Sequence, residues 1–259
     1  MSAAIVHLPR GEFIVHAFRI SALAVTLGLA SLVVATPTNA TAGGRDSARA
    51  ALSTVASWQM NEGASASVMG DSSGHGITGS IGAHIQTDQA FDGAVGYRWV
   101  FRKPEQPPAD PQRLVQVANR SALNPGTGTY VVTIRMRTTQ DFGNIVQKGQ
   151  AGAKGGYWKL ENPHGVVHCL FRGPSKVGIN VDSGKAINDG KWHVIRCERT
   201  SSGVTMTVDG HQTGHKNGST GNISNPNPVT IGGKLNCDQH TVTCDYFTGS
   251  IDYITIQAS

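Results

Sequence analysis

Val204, Met206 and Val208 alternate with Thr205 and Thr207, and Tyr130, Val132, Ile134 and Met136 alternate with Val131, Thr133, Arg135 and Arg137. A period of two along the chain places one side of each segment in a core and the other toward water, which is the signature of half-buried β-strands. Turn residues punctuate these runs. Asn188-Asp189-Gly190-Lys191 precedes Trp192-His193, Ser201-Ser202-Gly203 precedes Val204, and Asp209-Gly210 follows Val208, so this region reads as one antiparallel meander. The same reading predicts strands over Ser57–Met60, Ile77–Ile81, Arg98–Phe101, Leu114–Val117, Asn144–Lys148, Tyr157–Leu160, Val166–Phe171, Val177–Val181, Trp192–Arg199, Val229–Ile231 and Ile251–Ile256. Helical periodicity is scarce, and about a dozen short strands suit an all-β fold of two packed antiparallel sheets. The four prolines within Arg102–Pro111 mark an exposed loop rather than a linker, because strand signals resume on both sides.

The first residues follow other rules. Arg10 and Arg19 lead into an apolar run from Ile20 to Ala35, and Ala40-Thr41-Ala42 supplies small residues, so residues 1–42 read as a secretory signal peptide with the exported chain starting near Gly43. The apolar run is shorter than the roughly 20 residues a relaxed membrane-spanning helix needs. Residues 43–56 then form a short extension and 57–259 a single domain. Taking Arg10, Arg19 and Glu12 from 22 basic and 17 acidic residues leaves a net charge of +4. These charges are scattered without a dense basic run, which argues against nucleic acid as a partner. Four cysteines in an exported chain imply disulfides, and four allow three connectivities. The short loop between Cys237 and Cys244 favours that pair, leaving Cys169 with Cys197. Neither spacing has the close Cys-x-x-Cys of a zinc site.

Short motifs then recur in a suggestive order: Trp58, Asp71-Ser72-Ser73-Gly74-His75-Gly76, Phe91-Asp92-Gly93, Leu123-Asn124-Pro125-Gly126-Thr127, Asp189-Gly190-Lys191-Trp192-His193, Val208-Asp209-Gly210, Ile231-Gly232-Gly233 and Phe247-Thr248-Gly249-Ser250-Ile251-Asp252. From Trp58 to the C-terminus the chain resembles laminin-G-like domains of the concanavalin A-like lectin and glucanase superfamily, in particular small secreted bacterial proteins of that kind. The resemblance implies a two-sheet jelly-roll sandwich with the first strand, near Trp58, beside the last, Ile251–Ile256. The Asp71-Ser72-Ser73-Gly74 turn, with Asp252 brought close by the terminal strand, could offer carboxylate and carbonyl oxygens to a structural calcium, and the resemblance points the same way, although Asp71 is also an ordinary turn-former.

Such a sandwich carries enzymes and binding modules alike, so activity must be argued from residues. Glycoside hydrolysis needs two carboxyl groups close together, and no Glu-x-Asp-x-x-Glu or similar cluster occurs. Asp182 stands alone, Glu161 lies beside Asn162, and Glu198 is flanked by Arg196 and Arg199. His168, His193, Tyr157 and Arg172 supply the residue types of a lyase without a recognisable arrangement, and Gly-x-Ser-x-Gly is missing. No catalytic residue is assigned. For ligand binding, Tyr157 and Trp158 are neighbours on a strand and so point to opposite faces, which leaves one for the open sheet face as a stacking platform with Arg172, Lys159 and Asn162 nearby. The expectation is a secreted, monomeric, non-catalytic recognition module, without membrane insertion after leader cleavage, that binds a glycan or an extracellular protein through a sheet face or loop rim. The alternatives are a polysaccharide-active hydrolase or lyase of the same fold and a purely structural surface protein.

Overall fold

The structure is a computed structural model that describes residues 51–103, 110–237 and 244–259. The leader read in residues 1–42, and the centre of the proline-rich loop, lie outside the described residues. The described residues form sixteen strands: β1 (Ser53–Trp58), β2 (Val68–Met69), β3 (Gly79–Ile81), β4 (Ile85–Phe91), β5 (Ala94–Trp99), β6 (Val115–Val117), β7 (Tyr130–Arg137), β8 (Asn144–Lys148), β9 (Tyr157–Glu161), β10 (His168–Arg172), β11 (Gly178–Asp182), β12 (His193–Arg199), β13 (Gly203–Val208), β14 (His211–Asn217), β15 (Val229–Ile231) and β16 (Gly249–Ala258). They form two antiparallel sheets, giving the jelly-roll sandwich that the alternation and the resemblance predict. Sheet A has the order β14-β13-β12-β7-β16-β5-β4, with β1 also pairing β16, and sheet B has the order β11-β10-β9-β8-β15-β6-β3-β2. Trp58 lies opposite Ile254, so the first strand does sit beside the last.

Several strands differ from the sequence reading: β2 was not read, β5 runs from Ala94 to Trp99 where Arg98–Phe101 was read, and β1, β4 and β14 differ for local reasons. β1 begins at Ser53, inside the stretch read as an extension, because Val55 and Ala56 already pack into the core. β4 was not anticipated: its burial alternates, but the inward positions include polar Thr87 and Gln89, so IQTDQAF shows little apolar periodicity, and Asp88 at φ 57° lies within a register shift between Gln86 and Gln89. β14 escaped notice because its sequence, HQTGHKN, is polar on both sides. It lies at the edge of sheet A, where polar side chains guard an open row of backbone groups.

The interior is filled by Trp58, Tyr97, Trp99, Tyr130, Trp158, Phe171 and Phe247 among the aliphatic positions. Two indoles hold fixed partners: Trp58 Nε1 donates to the carbonyl of Ile77 (2.7 Å) and Trp99 Nε1 to that of Arg113 (2.9 Å). Gly232, at φ 93°, passes so close to the Trp99 indole that a Cβ would overlap it, which explains the first glycine after Ile231. Both disulfides form as read from the sequence, Cys169–Cys197 and Cys237–Cys244. The first joins β10 of sheet B to β12 of sheet A through the core. By the loop-entropy model its 28-residue separation corresponds to about 3–4 kcal/mol of stabilisation.

Lys148 and Arg199 are the most deeply buried cations, and neither has a carboxylate partner among the described residues. Lys148 is 0% exposed, and its ammonium donates to Asn119 Oδ1 (2.7 Å) and to the carbonyls of Asn225 (2.8 Å) and Asn227 (2.6 Å). Burial lowers its pKa to about 8. Arg199 is 1% exposed and donates to the Thr220 hydroxyl (3.1 Å) and to the carbonyls of Gly128 (2.7 Å) and Gly221. Each satisfies loop carbonyls that the sandwich would otherwise bury unpaired.

Candidate functional site

The outer face of sheet A carries the strongest concentration of unneutralised charge beside a cavity. Alternation turns Tyr97 and Trp99 inward, so Arg98 between them points out; Met136 does the same for Arg137 and Ile251 for Ser250. Strand register sets Ser250 opposite Arg98 on β5 and opposite Arg137 on β7. The result is a row Arg98–Ser250–Arg137, with the two arginines two strand spacings, roughly 10 Å, apart at the backbone and a small residue between them. Their side chains wall a groove of about 420 Å³, completed by Phe101, Thr138, Thr139, Gln140, Gly190 and Thr248. Phe101 is 63% exposed at its lip.

Among the described residues, neither Arg98 nor Arg137 has a carboxylate partner, whereas Arg135 on the same face donates to Asp252 at 2.5 Å. Arg137 is steered by aromatic faces instead: its guanidinium lies 4.4 Å from the Phe91 ring centroid and 5.1 Å from that of Trp192, and these two rings meet edge to face at 5.5 Å. That support fixes the guanidinium while leaving its N–H donors free of anions.

The turn before β12 closes the far side. Gly190 donates to the carbonyl of Thr138 (3.0 Å), while His193 faces Asp209 through Nδ1 (2.7 Å) and Asp189 through Nε2 (3.1 Å). The Lys191 backbone N–H and His193 lower the Asp189 pKa to about 2. Burial alone raises that of Asp209, but the hydrogen bonds from His193 and the Val194 N–H outweigh it, and the net shift is downward.

The residues read from the sequence fall elsewhere. Trp158 is wholly buried in the core, and its Nε1 has no hydrogen-bond partner. Tyr157 does face outward on sheet B, opposite Arg172, but loops cover it and it too is buried. Neither ring is an open platform. Glu161 pairs with Lys159 and Glu198 with Arg196 (both 2.5 Å), and His168 meets Asn180 (2.8 Å), so these candidates are engaged in structural contacts. The alternation on β7 had already placed Arg135 and Arg137 on the solvent side; what the sequence alone could not supply was the register that brings Arg98 beside Arg137.

The calcium expectation meets a chemical obstacle. Asp71 Oδ1 accepts the backbone N–H groups of Ser57 and Ser73, both at 2.9 Å, and its Oδ2 accepts the Ile77 N–H (2.9 Å) and the Ser73 hydroxyl (2.8 Å). Burial raises its pKa, yet these four donors more than reverse that effect and hold it below the usual value. Asp252 is tied to Arg135. Calcium needs about six to eight oxygens, and here both oxygens of one carboxylate are filled by protein donors while the other carboxylate is ion-paired. The residues do not fit the ion. Among the described residues, no cluster of three or more His, Cys, Asp or Glu side chains is placed to hold a metal.

Comparison with known proteins bears mainly on the C-terminal half of the chain. Residues 136–259 match the family model of the Laminin G domain. "Neurexin like receptor 1" of Caenorhabditis elegans is 33% identical over 91 residues, covering 34% of this chain and 8% of that protein. "Neurexin-3a" of Danio rerio is 30% identical over 86 residues, covering 33% of this chain and 5% of that protein. The chain therefore spans less than a tenth of either relative. Among solved structures, the binding domain of botulinum neurotoxin serotype G superposes with a TM-score of 0.55 at 11% identity, over 79% of this chain and 47% of that one, which speaks to fold alone. The family match supports a laminin G domain over residues 136–259, and the solved structure supports the fold.

Proposed function

We propose that this chain is a secreted, non-catalytic recognition module that holds an acidic glycan in the groove between Arg98 and Arg137. One observation carries the reading: two arginines without carboxylate partners straddle Ser250 in a groove of about 420 Å³. That volume lies within the usual range for small-ligand sites. Arginine offers a planar fork of donors that matches carboxylate or sulfate groups, and two such charges at a concave surface focus a positive field on an approaching anion. The hydroxyls of Ser250 and Thr139 and the amide of Gln140 suit the neighbouring sugar hydroxyls, which favours a glycan over an acidic peptide. Secretion is supported by the leader read in residues 1–42 and by two disulfides. No helix among the described residues is long and apolar enough to cross a membrane.

Retention of the purified protein on immobilised sulfated and uronate-bearing glycans tests the reading, with neutral glycans and a poly-glutamate peptide as comparators. Preferential retention on the charged glycans, falling with added salt and about tenfold or more in Arg98→Ala and Arg137→Ala, is the expected result. Equal retention on neutral glycans rejects it, and stronger retention on the peptide transfers the site to a protein ligand.

A further inference from the structure

Sheet B presents a second concave surface of opposite chemical character. Strand register lines up Lys159, Gln147, Thr230, Gln116 and Ser80 across β9, β8, β15, β6 and β3, forming a polar row over five adjacent strands. Val146, Val229 and Ile231 point into the core, so Gln147 and Thr230 point outward. Above the middle of this row the chain leaves a cleft of about 190 Å³, less than half the volume of the sheet A groove. Its lining includes Gln147, Gln150, Asn227, Thr230, Leu235 and Asn236, and among the described residues no charged side chain lines it.

Gln147 is the decisive residue. It is only 3% exposed, and its Oε1 accepts from Asn144 Nδ2 at 3.0 Å, which fixes the orientation of the amide. Its Nε2 has no protein partner among the described residues, and Gln147 lines the cleft. That amide, held in place by the Asn144 contact and still reached by solvent, is free to donate to a water or a ligand. The Thr230 hydroxyl donates to the carbonyl of Gly233 (2.9 Å), so toward the cleft it acts as an acceptor. The side-chain amides of Gln150, Asn227 and Asn236 each offer both donor and acceptor, and Pro228 and Leu235 add apolar wall.

We infer that this cleft is a second ligand site, for a single neutral hexopyranose unit. A sugar ring presents hydroxyls that donate and accept around its rim and C–H groups on its faces, which matches amides around an apolar wall. An anion finds no cation among the lining residues, and a chain of sugars exceeds the volume. A ligand of this size binds on the order of millimolar. Because the site shares no residue with the arginine groove, it stands or falls separately from the function proposed there.

Titration of the isotopically labelled protein with D-glucose, D-galactose, D-mannose and N-acetyl-D-glucosamine, each followed by amide NMR, tests the inference. At least one sugar is expected to shift the Gln147 side-chain amide and the Gly149, Gln150 and Asn236 signals in a saturable way. That binding persists at high salt and in Arg98→Ala, and weakens about three- to tenfold in Asn236→Ala. Asn236 is exposed, so its replacement does not hinge on folding. If none of the four sugars shifts these signals saturably, or if Asn236→Ala and Gln147→Leu both bind as the parent does, the assignment is overturned.

Discussion

Lys148 and Arg199 share with Arg98 and Arg137 the property of having no carboxylate partner among the described residues, yet the two pairs lead different lives. The first pair is enclosed and its N–H donors are taken up by loop carbonyls and amides; the second stands at a groove with its donors facing solvent. The difference separates a charge the fold needs from a charge the fold merely carries. Where a buried cation has found oxygen partners it acts as a structural clamp, and where a guanidinium is oriented by aromatic rings but left without an anion, the unfilled coordination points to a ligand.

The sharpest way to break that contrast is to remove a clamp. Arg199→Met is expected to cost about 3 kcal/mol or more in denaturant unfolding, because at least two carbonyls and the Thr220 hydroxyl lose their donor together. Arg98→Ala is expected to change stability by no more than about 0.5 kcal/mol while abolishing most glycan retention. A comparable stability loss in both variants would erase the distinction.

A smaller effect follows from the titration of Lys148. Its folded pKa, about 8, lies below the unfolded value near 10.5, so between these limits the unfolded chain binds more protons and stability rises with pH. The melting temperature of the parent protein relative to Lys148→Met is therefore expected to increase from pH 8 to pH 10.5, and a flat difference would show that the ammonium is not strained by its enclosure. At the acidic end Asp71 gives a slope of the same sign: its contribution is complete above its ordinary carboxylate pKa of 3.8 and disappears as pH falls further. The smallest expected effect is that of a chelator. With Asp71 filled by four protein donors, EDTA is expected to leave the melting temperature unchanged, and a clear drop would reinstate a bound cation.

The sheet architecture was legible because strand alternation and turn residues are local signals, and both cystines followed from loop length and elimination. β14 and β4 were not, since one lacks an apolar side and the other turns polar Thr87 and Gln89 inward. The site was harder still. Trp158 and Tyr157 looked like an open aromatic platform because sequence shows which face a residue takes but not which loops lie over it. Arg98, Ser250 and Arg137 lie far apart along the chain and become neighbours only through the pairing of β16 with both β5 and β7. Such long-range register carries no local signature.

The cystine that crosses the core has one further consequence. Cys169 and Cys197 are both wholly sequestered, whereas Cys237 of the other bridge is partly accessible. A thiol reagent must reach a sulfur atom to react. The peripheral bridge can therefore be cleaved while the molecule stays folded, but the central one opens only when the two layers separate. The pair thus records two separate events, local breathing near residue 237 and complete disassembly of the sandwich, in a single chain.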